Sequence, residues 1–219
     1  MKKIEAVIFD MDGLMIDTES LFLNSCLKTN EVYGFNVPKT LIVECIGKRK
    51  DKTIELFEQV MGPDFDVNNY FDLGRKFKNK EIEDNGIKVK KGLFELLNYL
   101  KEHNIKMAVA SSTAMDGIKS RLAQAGIDVS QFTSIISGDM VDKPKPDPEV
   151  YLKSCEVLGV KPENTIALED SDYGIKAAHL ARTCAVLIPD LKDVTDEMRN
   201  DAYVVLKDLT EVIELIENM

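Results

Sequence analysis

The stretch Ala6-Val7-Ile8-Phe9-Asp10-Met11-Asp12-Gly13 decides how the rest of the chain is read. Its first residues are continuously apolar, the pattern of a strand covered on both faces, as strands of parallel sheets are. The run breaks off in two aspartates and a glycine. Asp10 and Asp12 are two apart, so in extended chain their carboxylates leave on the same side. Two such charges repel and push one carboxyl toward its protonated form unless a cation lies between them. Gly13 then lets the backbone turn sharply away.

Three more runs have the same character: Met107-Ala108-Val109-Ala110, Thr165-Ile166-Ala167-Leu168 and Cys184-Ala185-Val186-Leu187-Ile188. Weaker strand signals occupy residues 133 to 136 and 203 to 205. Helical spacing falls between them, at Leu93, Leu96, Leu97 and Leu100, at Met115, Ile118, Leu122 and Ala125, and at Leu209, Val212, Ile213 and Ile216. One helix has readable ends, with Asp147 as cap, Pro148 in the first turn and Gly159 as stop. The alternation predicts an α/β fold, a doubly wound parallel sheet joined by right-handed crossovers.

Open sheets of this kind place their sites at the carboxyl ends of the strands. Here those ends read Asp10-Met11-Asp12-Gly13, Ser111-Ser112 and Glu169-Asp170-Ser171-Asp172. Asp-x-Asp-Gly alone reads equally well as a solvated turn, but three polar strand ends on one edge are hard to explain by packing. Glu169 and Asp170 add to the repulsion of Asp10 and Asp12. A hard cation with oxygen ligands, such as Mg2+, is the natural resolution, so these four are the candidate metal ligands.

Residues 18 to 86 break the rhythm, with helical stretches, many charges and no strand signal. They are predicted to form a helical insert after the first strand, leaving residues 1–17 and 87–219 as the core domain. Within the insert, Gly47-Lys48-Arg49-Lys50-Asp51-Lys52 reads as a substrate-facing loop, with Arg49 or Lys50 gripping a second polar group. A solvated charged turn is the alternative. Lys76 and Lys78 are weaker candidates, and Phe22, Phe57 and Phe71 read as the insert's small core.

Bulk properties narrow the function. The 219 residues are 44% hydrophobic, enough for a buried core, and the formal net charge is -10. That charge argues against nucleic acid and anionic membranes as partners, both of which need basic faces. Cys26, Cys45, Cys155 and Cys184 lack metal-site spacing and read as buried thiols, and His103 and His179 stand alone as structural residues. No signal peptide or membrane span is apparent, so a cytoplasmic location is expected. No Gly-x-Gly-x-x-Gly follows the first strand, which sets a dinucleotide-binding role aside.

Four segments together resemble the haloacid dehalogenase-like hydrolase superfamily, in the branch of sugar-phosphate phosphatases and β-phosphoglucomutase. They are Val7-Ile8-Phe9-Asp10-Met11-Asp12-Gly13-Leu14-Met15-Ile16-Asp17-Thr18-Glu19, Val109-Ala110-Ser111, Lys145-Pro146-Asp147-Pro148-Glu149-Val150-Tyr151 and Leu168-Glu169-Asp170-Ser171. The resemblance implies that Asp10 attacks phosphorus to form an aspartyl-phosphate, with Asp12 as general acid and then base. It implies Mg2+ on the Asp10 carboxylate, the Asp12 backbone carbonyl and Asp170, with Glu169 ligating or supporting. Ser111 and a lysine would bind the phosphoryl oxygens, with Ser112 as a further substrate contact. The pattern Lys-Pro-x-Pro-acid-x-aromatic selects Lys145, with Lys143 as runner-up, although Pro144 stands where relatives often have glycine.

By the same resemblance, residues 18–86 form a cap that closes over the site. The expected activity is hydrolysis of a small phosphorylated metabolite, a sugar phosphate above all, by a monomer or weak homo-oligomer. Dehalogenating relatives lack the second aspartate, and phosphonate-cleaving ones need a Schiff-base lysine in the cap. A β-phosphoglucomutase-type mutase is the alternative, but such members carry a histidine where Ser20-Leu21-Phe22 stands here. A phospho-aspartate signalling module is shorter and has no insert.

Overall fold

A computed structural model describes residues 3–48 and 50–219 of the chain. It divides into two compact units, Met1–Asp17 with Lys88–Met219, and Thr18–Ile87. From β1 (Ala6–Phe9) the chain enters the second unit and forms α1 (Thr18–Tyr33), α2 (Lys39–Cys45), α3 (Lys50–Met61) and α4 (Val67–Asn85). The sequence reading did not anticipate α2, which is a single short apolar stretch. In this unit α1 packs on α4, where buried Gly74 lets the helices approach against Thr29 and Ser25. Phe57 and Tyr70 are fully buried, and Tyr70 joins Phe35, Phe57, Phe65 and Phe71 in an aromatic cluster.

The first unit continues with α5 (Leu93–Glu102), β2 (Lys106–Ala110), α6 (Met115–Gln124), β3 (Ser134–Ile136), α7 (Glu149–Leu158), β4 (Thr165–Glu169) and α8 (Asp172–Leu180). β5 (Cys184–Leu187), α9 (Asp196–Asp201), β6 (Val204–Val205) and α10 (Glu211–Glu217) complete it. The six strands run parallel in the order β3-β2-β1-β4-β5-β6. Both weak strand signals are therefore real strands, at the edges where hydrophobic runs can be short.

Alternation along the strands splits the core. Ala6, Ile8, Ala108, Ala110, Ala167 and Leu187 join one buried cluster with residues of α7 and α8. Val7, Phe9, Val109 and Leu168 are also fully buried, so they face the opposite layer. The leucines predicted at the start of the core domain, Leu93, Leu96, Leu97 and Leu100, form the buried face of α5. Because β1 pairs with β2 on one side and β4 on the other, the winding reverses between β1 and β4. The crevice at such a reversal, at the carboxyl ends, is where this architecture binds ligands.

Candidate active site

Strand register brings the acidic residues together. Phe9 pairs with Leu168, and the Asp10 amide donates to the Leu168 carbonyl at 3.0 Å, which sets Asp10 beside Glu169. Asp10, Glu169 and Asp170 are all buried, and each offers a carboxylate oxygen within 4.8 Å of the others.

Lys145 enters this cluster. Its Nζ donates to Asp10 Oδ1 and Glu169 Oε1, both at 2.6 Å, and to the Ala110 carbonyl at 3.0 Å. The loop before α7 is built to deliver it. The Glu149 carboxylate accepts from the amides of Asp142 (3.0 Å) and Lys143 (2.9 Å), and the Lys145–Pro146 peptide is cis. Lys143 points to solvent, with a side chain 73% exposed. Of the two candidate lysines, Lys145 alone reaches the carboxylates. Asp147 differs slightly from expectation: α7 starts at Glu149 behind Pro148, and Asp147 Oδ1 accepts from the Glu149 amide at 3.1 Å. Gly159 ends the helix in the left-handed region, φ 63°.

Glu169 has no exposed surface, and Lys145, the Tyr151 hydroxyl and Ser171 Oγ (3.3 Å) all donate to its carboxylate. Such a saturated carboxylate positions its neighbours, Lys145 first among them. α8 packs its first turn directly on it. Ser171 caps that turn by accepting from the Gly174 amide, and a Cβ on Gly174 would run into the Glu169 carboxylate. Glycine is needed there for close approach.

Asp12 belongs to a different arrangement. Gly13, at φ 86°, turns the chain back, and the Asp12 carboxylate stands outside the trio of Asp10, Glu169 and Asp170. Arg121 Nη1 donates to Asp12 Oδ1 at 2.6 Å, and Thr113 Oγ1 donates to Asp12 Oδ2 at 2.9 Å. Sequence reasoning missed both partners. The signal was present in the stripe Thr113, Gly117, Arg121, four residues apart, but a lone arginine on a helix ordinarily reads as a solvated surface residue.

Ser111 is buried at the end of β2, and its Oγ accepts from the Thr113 amide at 3.1 Å. Ser112 is exposed. Lys50 is the exposed first residue of α3 in the helical unit, and Arg49 lies outside the described residues. The helical unit contains a cavity of about 210 Å³ whose lining includes Phe22, Phe71, Arg75 and Lys78. Phe57 is core as expected, whereas Phe22 and Phe71 are only partly buried and face this space.

Burial pushes the Asp10 carboxyl up to about 7; Lys145 opposes the rise, while Glu169 and Asp12 add to it. Burial also acts against the charge on Lys145, but Asp10 and Glu169 outweigh it and hold the ammonium well above its ordinary range. Lys145 pairs with Asp10 and Glu169, and Arg121 pairs with Asp12. The carboxylates of Asp10, Glu169 and Asp170, buried and offering only oxygen donors, fit a hard dication.

Residues 7–188 match the haloacid dehalogenase-like hydrolase family over most of the chain. The chain belongs to this family. A phosphorylated carbohydrates phosphatase of Thermotoga maritima is 32% identical over 178 residues, covering 81% of this chain and 82% of that protein. Among solved structures, a haloacid dehalogenase family hydrolase from Deinococcus radiodurans R1 with bound phosphate and sodium superimposes with a TM-score of 0.82 at 23% identity, covering 99% and 97% of the two chains. The β-phosphoglucomutase of Clostridium difficile superimposes at 0.71 with 23% identity, covering 98% and 96%. At these identities the two structures bear on the fold alone. The chain has its acidic strand ends on one sheet edge.

Proposed function

We propose that this hydrolase is a phosphatase acting on a small phosphorylated metabolite, a sugar phosphate above all, with Asp10 as nucleophile. The observation that supports this most is Lys145, held between Asp10 and Glu169 at 2.6 Å from each. A nucleophilic carboxylate must be brought against an anionic phosphate, and a fixed ammonium beside it favours that approach. The relative that hydrolyses phosphorylated carbohydrates points to the same substrate class.

Asp10 forms the aspartyl-phosphate, dividing one hard displacement into two easier ones. Asp12 protonates the leaving oxygen and then takes a proton from the incoming water. Lys145 and Ser111 hold phosphoryl oxygens, and Glu169 keeps Lys145 in place. Mg2+ on Asp10, Asp170 and the Asp12 carbonyl, with Glu169 beside them, would supply the positive charge that the phosphoryl oxygens and the carboxylates share. The helical unit acts as the cap that selects the substrate.

Purified protein assayed for phosphate release across sugar phosphates and nucleotides, with and without Mg2+, tests this reading. Mg2+-dependent release from sugar phosphates supports it. Interconversion of glucose 1- and 6-phosphate without net release would instead identify a mutase.

A further inference from the structure

We propose that Arg121 is a positioning residue for Asp12, aiming that carboxylate at the leaving oxygen with the help of Thr113; the proposal rests on the phosphatase reading above. Both oxygens of Asp12 are restrained, Oδ1 by Arg121 at 2.6 Å and Oδ2 by Thr113 at 2.9 Å. Arg121 also donates to Thr113 Oγ1 at 3.3 Å, closing a triangle. The donor roles are forced. Arginine has only N–H donors, so the Thr113 hydroxyl accepts from it and spends its single proton on Asp12. A carboxylate held at both oxygens cannot swing about its last bond.

The local sequence is arranged for this contact. Arg121 lies near the carboxyl end of α6, and side chains on a helix lean toward its amino end. It therefore reaches back along the stripe over Gly117 to Thr113. A Cβ on Gly117 would stand 2.7 Å from the Thr113 methyl, so the glycine keeps Thr113 where it meets Asp12. The two aspartates are thus served separately, Asp10 by Lys145 and Asp12 by Arg121. With side chains 32% and 26% exposed, the Arg121–Asp12 pair contributes little to stability as an ion pair. Its effect is on direction, and arginine keeps its charge throughout the working pH range.

The test is steady-state kinetics of the wild type, Arg121→Met, Arg121→Lys, Asp12→Asn and the double variant Arg121→Met with Asp12→Asn. Each is assayed on an alkyl phosphate, whose leaving oxygen needs a proton, and on p-nitrophenyl phosphate, whose leaving group does not. Arg121→Met is expected to lower kcat on the alkyl ester by roughly 100-fold, the scale of a misaimed catalytic group. Its KM should stay within about 3-fold, as for a group acting in the transition state, and the aryl ester should be affected far less. Arg121→Lys should recover only part of the loss, because a point charge cannot hold both Asp12 and Thr113. In the Asp12→Asn background the Arg121 change should cost nothing more. Should Arg121→Met fail to fold, Gly117→Ala, which displaces Thr113, is expected to give the same ester-selective loss.

Equal losses on both esters, an unchanged kcat, or additive losses in the double variant would overturn the proposal. Wild-type protein releasing phosphate from neither ester would overturn the phosphatase reading instead. The pairing is then judged by the NMR shift of the Asp12 carboxyl carbon in the wild type and in Arg121→Met, where a displaced resonance supports it and an unchanged one refutes it.

Discussion

At the scale of single residues, the site depends on a few atoms that have no room to move. Gly174 is the sharpest case, because its missing Cβ is the space the Glu169 carboxylate occupies. Gly174→Ala is therefore expected to displace Glu169, loosen Lys145 from Asp10 and lower kcat by at least about 10-fold, since misplacement of a binding group near the chemistry is costly. Steady-state kinetics alongside thermal unfolding checks this, and a folded variant with wild-type kcat would refute it. Asp12→Ala should cut turnover on alkyl phosphates steeply and on phosphates with good leaving groups much less; equal losses would remove Asp12 from the acid role. Asp10, Asp12, Glu169 and Asp170 were legible in sequence because each sits at or just beyond a continuous apolar run. Arg121 and Thr113 were not, since their meaning lies in a contact 109 and 101 residues away in sequence.

At the scale of elements, the loop before α7 decides which lysine serves the site. Glu149 clamps it by accepting from two backbone amides, and its carboxyl is held down at about 2 from an ordinary 4.5, chiefly by the Asp142 amide, then by Lys153 and the Lys143 amide. A carboxyl whose folded value lies below its unfolded one stabilises the fold above the unfolded value and loses that effect as pH falls through the folded one. The Glu149 contribution should thus be complete above about 4.5 and disappear toward about 2. Urea midpoints measured across that window should fall less steeply with acid in Glu149→Gln than in the wild type; parallel curves would show that the clamp is absent. The motif around Lys145 and the end of α7 at Gly159 were readable because proline and glycine punctuate the chain. The same motif selected Lys145 over Lys143, and the folded loop brings Lys145 to the carboxylates, whereas α2 and the short α9 escaped because 7 and 6 residues give too little periodicity to register.

At the scale of the whole molecule, the parallel sheet and the helical excursion after β1 follow from hydrophobic pattern alone, while the winding reversal that creates the crevice emerges only from strand order. Among the described residues no helix is long and apolar enough to cross a membrane. A net charge of -10 makes the site's cations, protein-borne or bound, the agents that admit an anionic substrate. Mg2+ binding to the folded state alone should raise stability by about 2.7 kcal/mol at 100 times its dissociation constant. Thermal unfolding with Mg2+ or EDTA should show that gain in the wild type and its loss in Asp170→Asn, and a gain of equal size in both would place the ion elsewhere. The central claim, that Asp10 becomes phosphorylated, is tested most directly by borohydride trapping. Borohydride reduces an acyl phosphate to the alcohol, so protein quenched during turnover and mapped by mass spectrometry should contain homoserine at position 10 only when Mg2+ and a phosphorylated substrate are both present. Reduction at another carboxylate, or at none while phosphate is being released, would contradict the account.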